Sequence, residues 1–240
     1  FLTDKKWLGL DKNRLAVSVF AGDADAPFDE EAFNVWKSLG VSEQRIAKLP
    51  KKNNWWGLDA GGPCGPDTEM FYWTGDPNSA PDSFNDDNVL WVEIWNNVFI
   101  QFNKNLDGQL APLTQRDVDT GMGMERTLAA LNGFDDNYRT ELFWPLIEKI
   151  EEISGKKYDN SEEIKKAMRI IADNIKAATI ILGDEKGLTP SNVGQGYILR
   201  RLIRRAARYG KQLGINEIFA FKVAEVVIKI YREIYPELWR

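Results

Sequence analysis

The sequence predicts an α+β chain in two parts, strands with flanking helices in residues 1–134 and helices alone in residues 135–240. Alternating, β-branched and aromatic runs fall in the first part. Apolar residues at three- and four-residue intervals fall in the second. The charge breaks at the same place: residues 1–134 carry 12 basic and 20 acidic side chains, residues 135–240 carry 19 and 16. That asymmetry suggests two functional halves. The break lies at Asn132-Gly133-Phe134-Asp135-Asp136-Asn137, a glycine and Asp/Asn cluster suited to ending one element before the next begins.

In the first part, Arg14 to Phe20 alternates and reads as a strand, closed by the turn-prone Ala21-Gly22-Asp23. A short helix is expected from Asp29 to Leu39, with Phe33, Val35, Trp36 and Leu39 as its apolar positions and Gly40 as its stop. Asn53 to Gly57 and Gly61 to Pro66 read as a stiff, kinked loop, because proline fixes φ and glycine supplies unusual backbone angles. Met70 to Trp73 should be a strand leaving that loop. A polar loop follows from Gly75 to Asn88, and Val89 to Phe102 reads as one or two sheet strands.

In the second part, Glu162 to Leu182 spaces Ile164, Ala167, Met168, Ile171, Ile175, Ala178 and Leu182 as one helix face, ended by Gly183. Tyr197 to Leu213 repeats the pattern, and its other side carries Arg200, Arg201, Arg204, Arg205 and Arg208. Asn216 reads as the N-cap of a last helix bearing Phe219, Val223, Val226, Val227 and Ile230.

Composition narrows the chemistry. With 240 residues, 43% of them hydrophobic, the chain can bury a sizeable core. No apolar run reaches the length of a membrane span and the first residues lack the order of a secretory signal, so a soluble cytoplasmic protein is expected. The single cysteine, Cys64, excludes an internal disulfide. With no histidine, a typical zinc site and an imidazole base are excluded too. Carboxylates, arginines, lysines and backbone remain. Because Phe1 is not a methionine and periodic sequence begins at once, the chain reads as a fragment or processed piece.

Two stretches draw a functional reading. Asp117 to Arg126 is a β-like run that ends in Gly121 and Gly123 and leads into a helix carrying Arg126. Backbone there can approach a phosphate closely and the arginine can reach a triphosphate, although a plain strand-to-helix turn has the same pattern. Between Gly196 and Leu213 stand five arginines, one lysine and no acid. Such a stripe repels itself and favours phosphate, the alternative being a solvated or internally paired face. Just ahead, Asn192 and Gln195 in Thr189 to Gly196 have donors and acceptors suited to base edges, while helix capping by Ser191 or Asn192 is the simpler role.

Together these blocks resemble alanyl-tRNA synthetases. The resemblance rests on Gly62-Pro63-Cys64-Gly65-Pro66 with Thr68-Glu69, on Glu93-Ile94-Trp95-Asn96 with Val98-Phe99 and Gln101-Phe102-Asn103, on Val118 to Arg126, and on Arg169 to Asp173 leading to Pro190-Ser191-Asn192 and Gly196 to Arg201. Order and spacing match nearly end to end. The resemblance implies the later strands of a class II antiparallel sheet with flanking helices and motif 3 in residues 1–134, and an incomplete all-helical tRNA-recognition region in residues 135–240. It implies ATP-dependent attachment of alanine to its tRNA, with ATP and Mg²⁺ as substrate and no zinc in this chain.

By the same resemblance, Trp56, Asn96, Asp119 and Gly121 would bind alanine, Asp119 receiving its ammonium group. Arg126, Gly123 and Glu93 would meet ATP. Asn192 would read the G·U pair of the tRNA(Ala) acceptor stem through the wide minor groove, with Arg200, Arg201, Arg204, Arg205 and Arg208 on phosphates. No residue is assigned as catalytic or as a metal ligand. Asp67 and Asn174 depart from a cysteine and a histidine common in the family, and neither is given a catalytic role. Phe1-Leu2-Thr3 and Trp7-Leu8-Gly9-Leu10 resemble the segment just after motif 2, so motifs 1 and 2 would come from a missing N-terminal segment and the chain alone would be inactive. The alternative is a split or freestanding RNA-binding subunit without catalysis of its own.

Overall fold

A computed structural model describes residues 1–84 and 87–239. The chain divides into two compact units, Phe1–Asn137 and Tyr138–Arg240.

The first unit is built on one sheet. Its strands are β1 (Leu15–Phe20), β2 (Ile46–Leu49), β3 (Trp55–Gly57), β4 (Gly62–Trp73), β5 (Trp91–Lys104) and β6 (Leu110–Met122). Their order is β2-β1-β4-β5-β6, and β3 pairs with β4. β1 pairs parallel to β2 and antiparallel to β4. The sheet is therefore mixed, which corrects the expected antiparallel one. The cause is α1 (Glu30–Ser38), a crossover that returns the chain in the same direction as β1. α1 starts where the Asp29 carboxylate accepts from Ala32 N–H at 3.0 Å, with Glu30 and Glu31 favourably placed in its first turn.

β1 is buried at five of its six positions. Its Val17 and Val19 join Met70, Tyr72, Ile94, Ile46, Ala32 and Phe33 in the core between the sheet and its helices.

Residues 53–66 are not the kinked loop expected, because Trp55–Gly57 and Gly62–Pro66 form strands that pair with each other. Pro66 is tolerated there because the β4–β5 ladder is irregular between Cys64 and Asp67, where a missing N–H donor costs little, and Pro63 sits second in β4, near the strand's end. Of the expected loop from Gly75 to Asn88, residues 85 and 86 lie outside the described residues. Its described part holds a 3-10 turn, Pro77–Ser79.

Val89–Phe102 resolves into one strand, β5, with a bulge: Met70 pairs with Trp95 and Phe71 with Glu93, leaving Ile94 as the extra residue. A hairpin through Gly108 then leads to β6, an edge strand exposed over most of its length.

In the second unit α3 (Trp144–Ser154), α4 (Glu162–Gly183), α5 (Gly194–Leu213) and α6 (Ala220–Tyr231) surround Leu146, Ile147, Ile150, Met168, Ile171, Leu213, Val223 and Val227. The Ser161 hydroxyl caps α4. Two capping expectations fail. Val193 and Phe219 occupy the N-cap positions of α5 and α6, with no side-chain cap. Phe219 is buried in the core, so its packing, rather than Asn216, fixes where α6 begins.

Candidate functional site

Strand register places the chemistry. Residues directly opposite one another in neighbouring strands point to the same face. Ser18 on β1 lies opposite Glu69 on β4, Glu69 opposite Asn96 on β5, and Asn96 opposite Gly121 on β6. One row of side chains thus crosses four strands. The adjacent row on that face runs from Asp67 through Val98 to Asp119. The face away from this row packs on the helix-side core, where Ile94 and Trp95 both point. The bulge is what lets Glu93 and Asn96, three residues apart, share the other face.

The β6-to-helix junction completes the site. α2 (Met124–Leu131) follows Gly123, whose N–H donates to the Ile94 carbonyl at 2.9 Å. The Thr127 hydroxyl donates to the same carbonyl at 3.4 Å. Arg126, one turn into the helix, forms an ion pair with the Glu93 carboxylate at 3.0 Å and donates to the Glu93 carbonyl at 3.2 Å. Its side chain stays 51% exposed, so the guanidinium is held and still reachable. A β-carbon on Gly121 would meet Asn96 Oδ1 at 3.2 Å, so any side chain there would press on that amide. Asp119 is exposed, and its carboxylate accepts from Thr120 N–H at 2.9 Å.

Of the residues expected around alanine and ATP, the structure therefore brings Glu93, Asn96, Gly121, Gly123 and Arg126 together, with Asp119 one row along. Trp56 stands apart. It lies on β3 opposite Gly65, 43% exposed, on the far side of β4 from β5.

Sequence reasoning missed the buried half of the site. Asp67 is 6% exposed and accepts from Asn54 Nδ2 at 2.9 Å. Asn54 also donates to Ser18 Oγ at 2.8 Å, and Ser18 Oγ donates to Glu69 at 3.3 Å. Burial pushes the Asp67 carboxyl up to about 6, and the nearby Glu93 charge adds to the effect against the Asn54 hydrogen bond. Glu69 is pushed up to about 7, by burial first and then by Glu93 and Asp67, with Ser18 and Arg126 opposing. The usable signal was two acids at alternate positions of a strand that continues Met70-Phe71-Tyr72-Trp73. Among the described residues, no group of three or more acidic or cysteine side chains is placed to hold a metal ion. A cleft of about 450 Å³ lies on the other face, lined by Trp36, Thr68, Asn97, Phe99 and Val118 among others, and carries none of the expected residues.

In the second unit, Asn192 Oδ1 accepts from Arg200. Arg200 is half-buried, whereas Arg201, Arg204, Arg205 and Arg208 are exposed along α5. The field of this face is felt by Tyr209, whose phenol is held below its ordinary range by the Arg208 hydrogen bond and by nearby Lys166 and Arg205. No helix of the described residues is long and apolar enough to cross a membrane.

A family model described as tRNA synthetases class II (A) matches residues 1–240. The chain belongs to that family. Its similarity to curated relatives is high: it is 52% identical to the alanine–tRNA ligase of Treponema denticola over 241 residues and 48% identical to that of Treponema pallidum over 240, covering 99% of this chain in each case. The alanine–tRNA ligase of Anaeromyxobacter dehalogenans is 44% identical over 246 residues. The chain spans about 40% of the length of the two Treponema relatives and 27% of the third. As a class II chain it presents the strand-to-helix junction of Asp119 to Arg126 beside β5, with its acids gathered on one sheet face.

Proposed function

We propose that this chain forms part of the site at which alanine is activated by ATP and passed to tRNA(Ala), with residues 1–134 supplying the later part of the catalytic core. The observation that carries the reading is the junction where Asn96, Gly121, Glu93 and Arg126 meet on one sheet face. In the first step an oxygen of the alanine carboxylate attacks the α-phosphorus of ATP and pyrophosphate leaves. In the second, a ribose hydroxyl of the tRNA end attacks the alanyl carbonyl, loses its proton, and AMP leaves.

Each side chain has a defined task. Arg126 exchanges Glu93 for a phosphate oxygen and offsets charge on the triphosphate, while Glu93 is released to contact the nucleotide. Gly123 lets backbone approach it. Asp119 accepts the ammonium group of alanine, Asn96 borders its methyl, and the hydrogen at Gly121 leaves the room that methyl needs, while Trp56, beyond β4, is left without a part in this pocket. Mg²⁺ arrives with ATP, and no protein ligand for it is assigned. Residues 135–240 recognise the acceptor stem, with Asn192 presented by Arg200 to the minor groove and Arg201, Arg204, Arg205 and Arg208 on phosphates. The work is cytoplasmic, and a segment carrying motifs 1 and 2 completes the ATP grip.

The test is pyrophosphate exchange by the purified 240-residue chain, alone and with the motif 1 and 2 segment added in trans. No exchange alone and exchange on mixing is expected. Exchange by the chain alone refutes the need for the segment. The arginines of α5, which have no ion pair among the described residues, favour a second reading, an RNA-binding subunit without catalysis. RNA binding with no exchange under either condition would select it.

A further inference from the structure

We propose that Glu69 is a positioning residue of the amino-acid pocket, a carboxyl that gives up a proton when the ammonium group of an α-amino acid enters beside Asn96. The inference rests on the pocket proposed above and deepens it. Its first support is register: Glu69 sits directly opposite Asn96, which sits directly opposite Gly121, so the carboxyl stands behind the amide, two strands in from the space the glycine leaves. Neighbours opposite each other in a sheet have β-carbons about 5 Å apart. Glu69, partly buried, is therefore the acid of that row, one strand behind the amide.

The second support is the polar arrangement behind Glu69. Ser18 and Asn54 hold the inner carboxyls from below, and Asn54 Oδ1 is itself buried without a donor. The groups facing Glu69 are the Ser18 hydroxyl on β1, Asp67 on β4, Glu93 on β5 and the Arg126 guanidinium on α2. Asp119 lies one row along on β6. Arg126 is spoken for by Glu93 at 3.0 Å. Three clustered acids against one paired cation favour retention of a proton, and the raised affinity of Glu69 for a proton fits this.

An arriving ammonium group reverses the balance. The amino acid enters as a zwitterion, the Glu69 carboxyl becomes carboxylate, and one proton passes to solvent. No other bond changes. The row then presents a second negative charge behind the one expected at Asp119, and a ligand of the same size without an ammonium group gains nothing from it. Glu69 would thus help the pocket demand an α-amino acid, where Gly121 limits its size.

The experiment follows the Glu69 carboxyl carbon by NMR from pH 5 to 9 in the 240-residue chain, with L-alanine, with L-lactate, and with neither. L-Alanine should lower the titration midpoint, and L-lactate should leave it in place. Because a group titrating near neutrality is about half protonated there, up to about half a proton should be released per alanine bound at pH 7. In Glu69→Gln, an isostere, the release should vanish. Its alanine affinity should match the parent at pH 5.5 and fall roughly tenfold behind it at pH 8, the ratio that one pKa unit of coupling represents. Alanine binding that depends on Asp119 while the Glu69 midpoint stays fixed overturns the inference and leaves the pocket reading standing. Alanine binding absent, or undiminished in Asp119→Asn, overturns the pocket reading and the inference with it.

Discussion

Replacing Gly65 by alanine should damage the sheet far more than its small size suggests. A β-carbon at position 65 would lie 1.9 Å from the Phe99 carbonyl oxygen, 2.9 Å from its carbon and 3.1 Å from Gln101 N. All three atoms are backbone, so no rotamer change relieves the clash. Restoring ordinary contact, which begins near 3.4 Å, requires β4 and β5 to part by about 1.5 Å at this point. Overpacking of this kind costs about 1–3 kcal/mol, and each ladder hydrogen bond lost as the strands part adds about 1 kcal/mol. A total of about 3–5 kcal/mol is expected, a large share of the roughly 5–15 kcal/mol that holds a domain together. Urea unfolding monitored by circular dichroism measures it. Gly40→Ala is the control, since Gly40 has φ +84° and open space around its missing side chain. There only backbone strain of about 1 kcal/mol or slightly more is expected. Gly65→Ala no more destabilising than Gly40→Ala would refute the reasoning.

Other outcomes follow from the same geometry. Folded-state values near 6 for Asp67 and 7 for Glu69 exceed ordinary carboxylate values, so the native chain holds more protons than the unfolded one between about pH 4 and 7. The pair's contribution is full below that window and lost as pH rises through 6 and 7; Asp67→Asn/Glu69→Gln should flatten the fall in unfolding free energy from pH 5 to 8, and an unchanged slope counts against the buried cluster. Arg126→Ala removes a largely exposed ion pair, so it should cost under about 1 kcal/mol of stability while weakening ATP binding at least tenfold by calorimetry. Gly121→Ala presses on Asn96 Oδ1 at 3.2 Å, and alanine affinity should fall about 10-fold or more with little change in melting temperature. For α5, Arg204→Glu and Arg205→Glu should each weaken acceptor-stem RNA binding and lower the slope of log K against log salt by about 0.7–0.9, whereas a slope unchanged in both would place RNA elsewhere.

Periodicity alone disclosed the elements whose apolar faces are regular. β1 and α4 alternate or repeat cleanly, and α1 adds an aspartate cap and a glycine stop at its ends. It failed where tertiary pairing overrides local preference. Gly62-Pro63 and Gly65-Pro66 look like loop, yet the first pair opens β4 in register with β5 and the second falls where the ladder is irregular. β2 is four residues long, too short to announce a parallel partner. Leu110–Gln115 lacks a strong strand pattern because β6 is exposed over most of its length, so no apolar face was selected. In the site, Arg126 and Asn96 could be named from their motifs, but the pairing of Arg126 with Glu93 joins residues 33 apart. Asp67 and Glu69 look like ordinary polar positions until register shows that β1 and β5 close over them.

The bulge at Ile94 imposes a rule of length rather than of chemistry. Its extra residue turns a carbonyl out of the ladder, and that carbonyl is what Gly123 and Thr127 grip at the start of α2. Exchanging Ile94 for another apolar side chain leaves the carbonyl in place. Removing the residue would keep β5 alternating, with Glu93 and Asn96 still on one face, and yet cast α2 loose. Single-residue deletions between Glu93 and Asn96 should thus be far less tolerated than substitutions at Ile94, a distinction that a scanning library of indels and point changes can resolve.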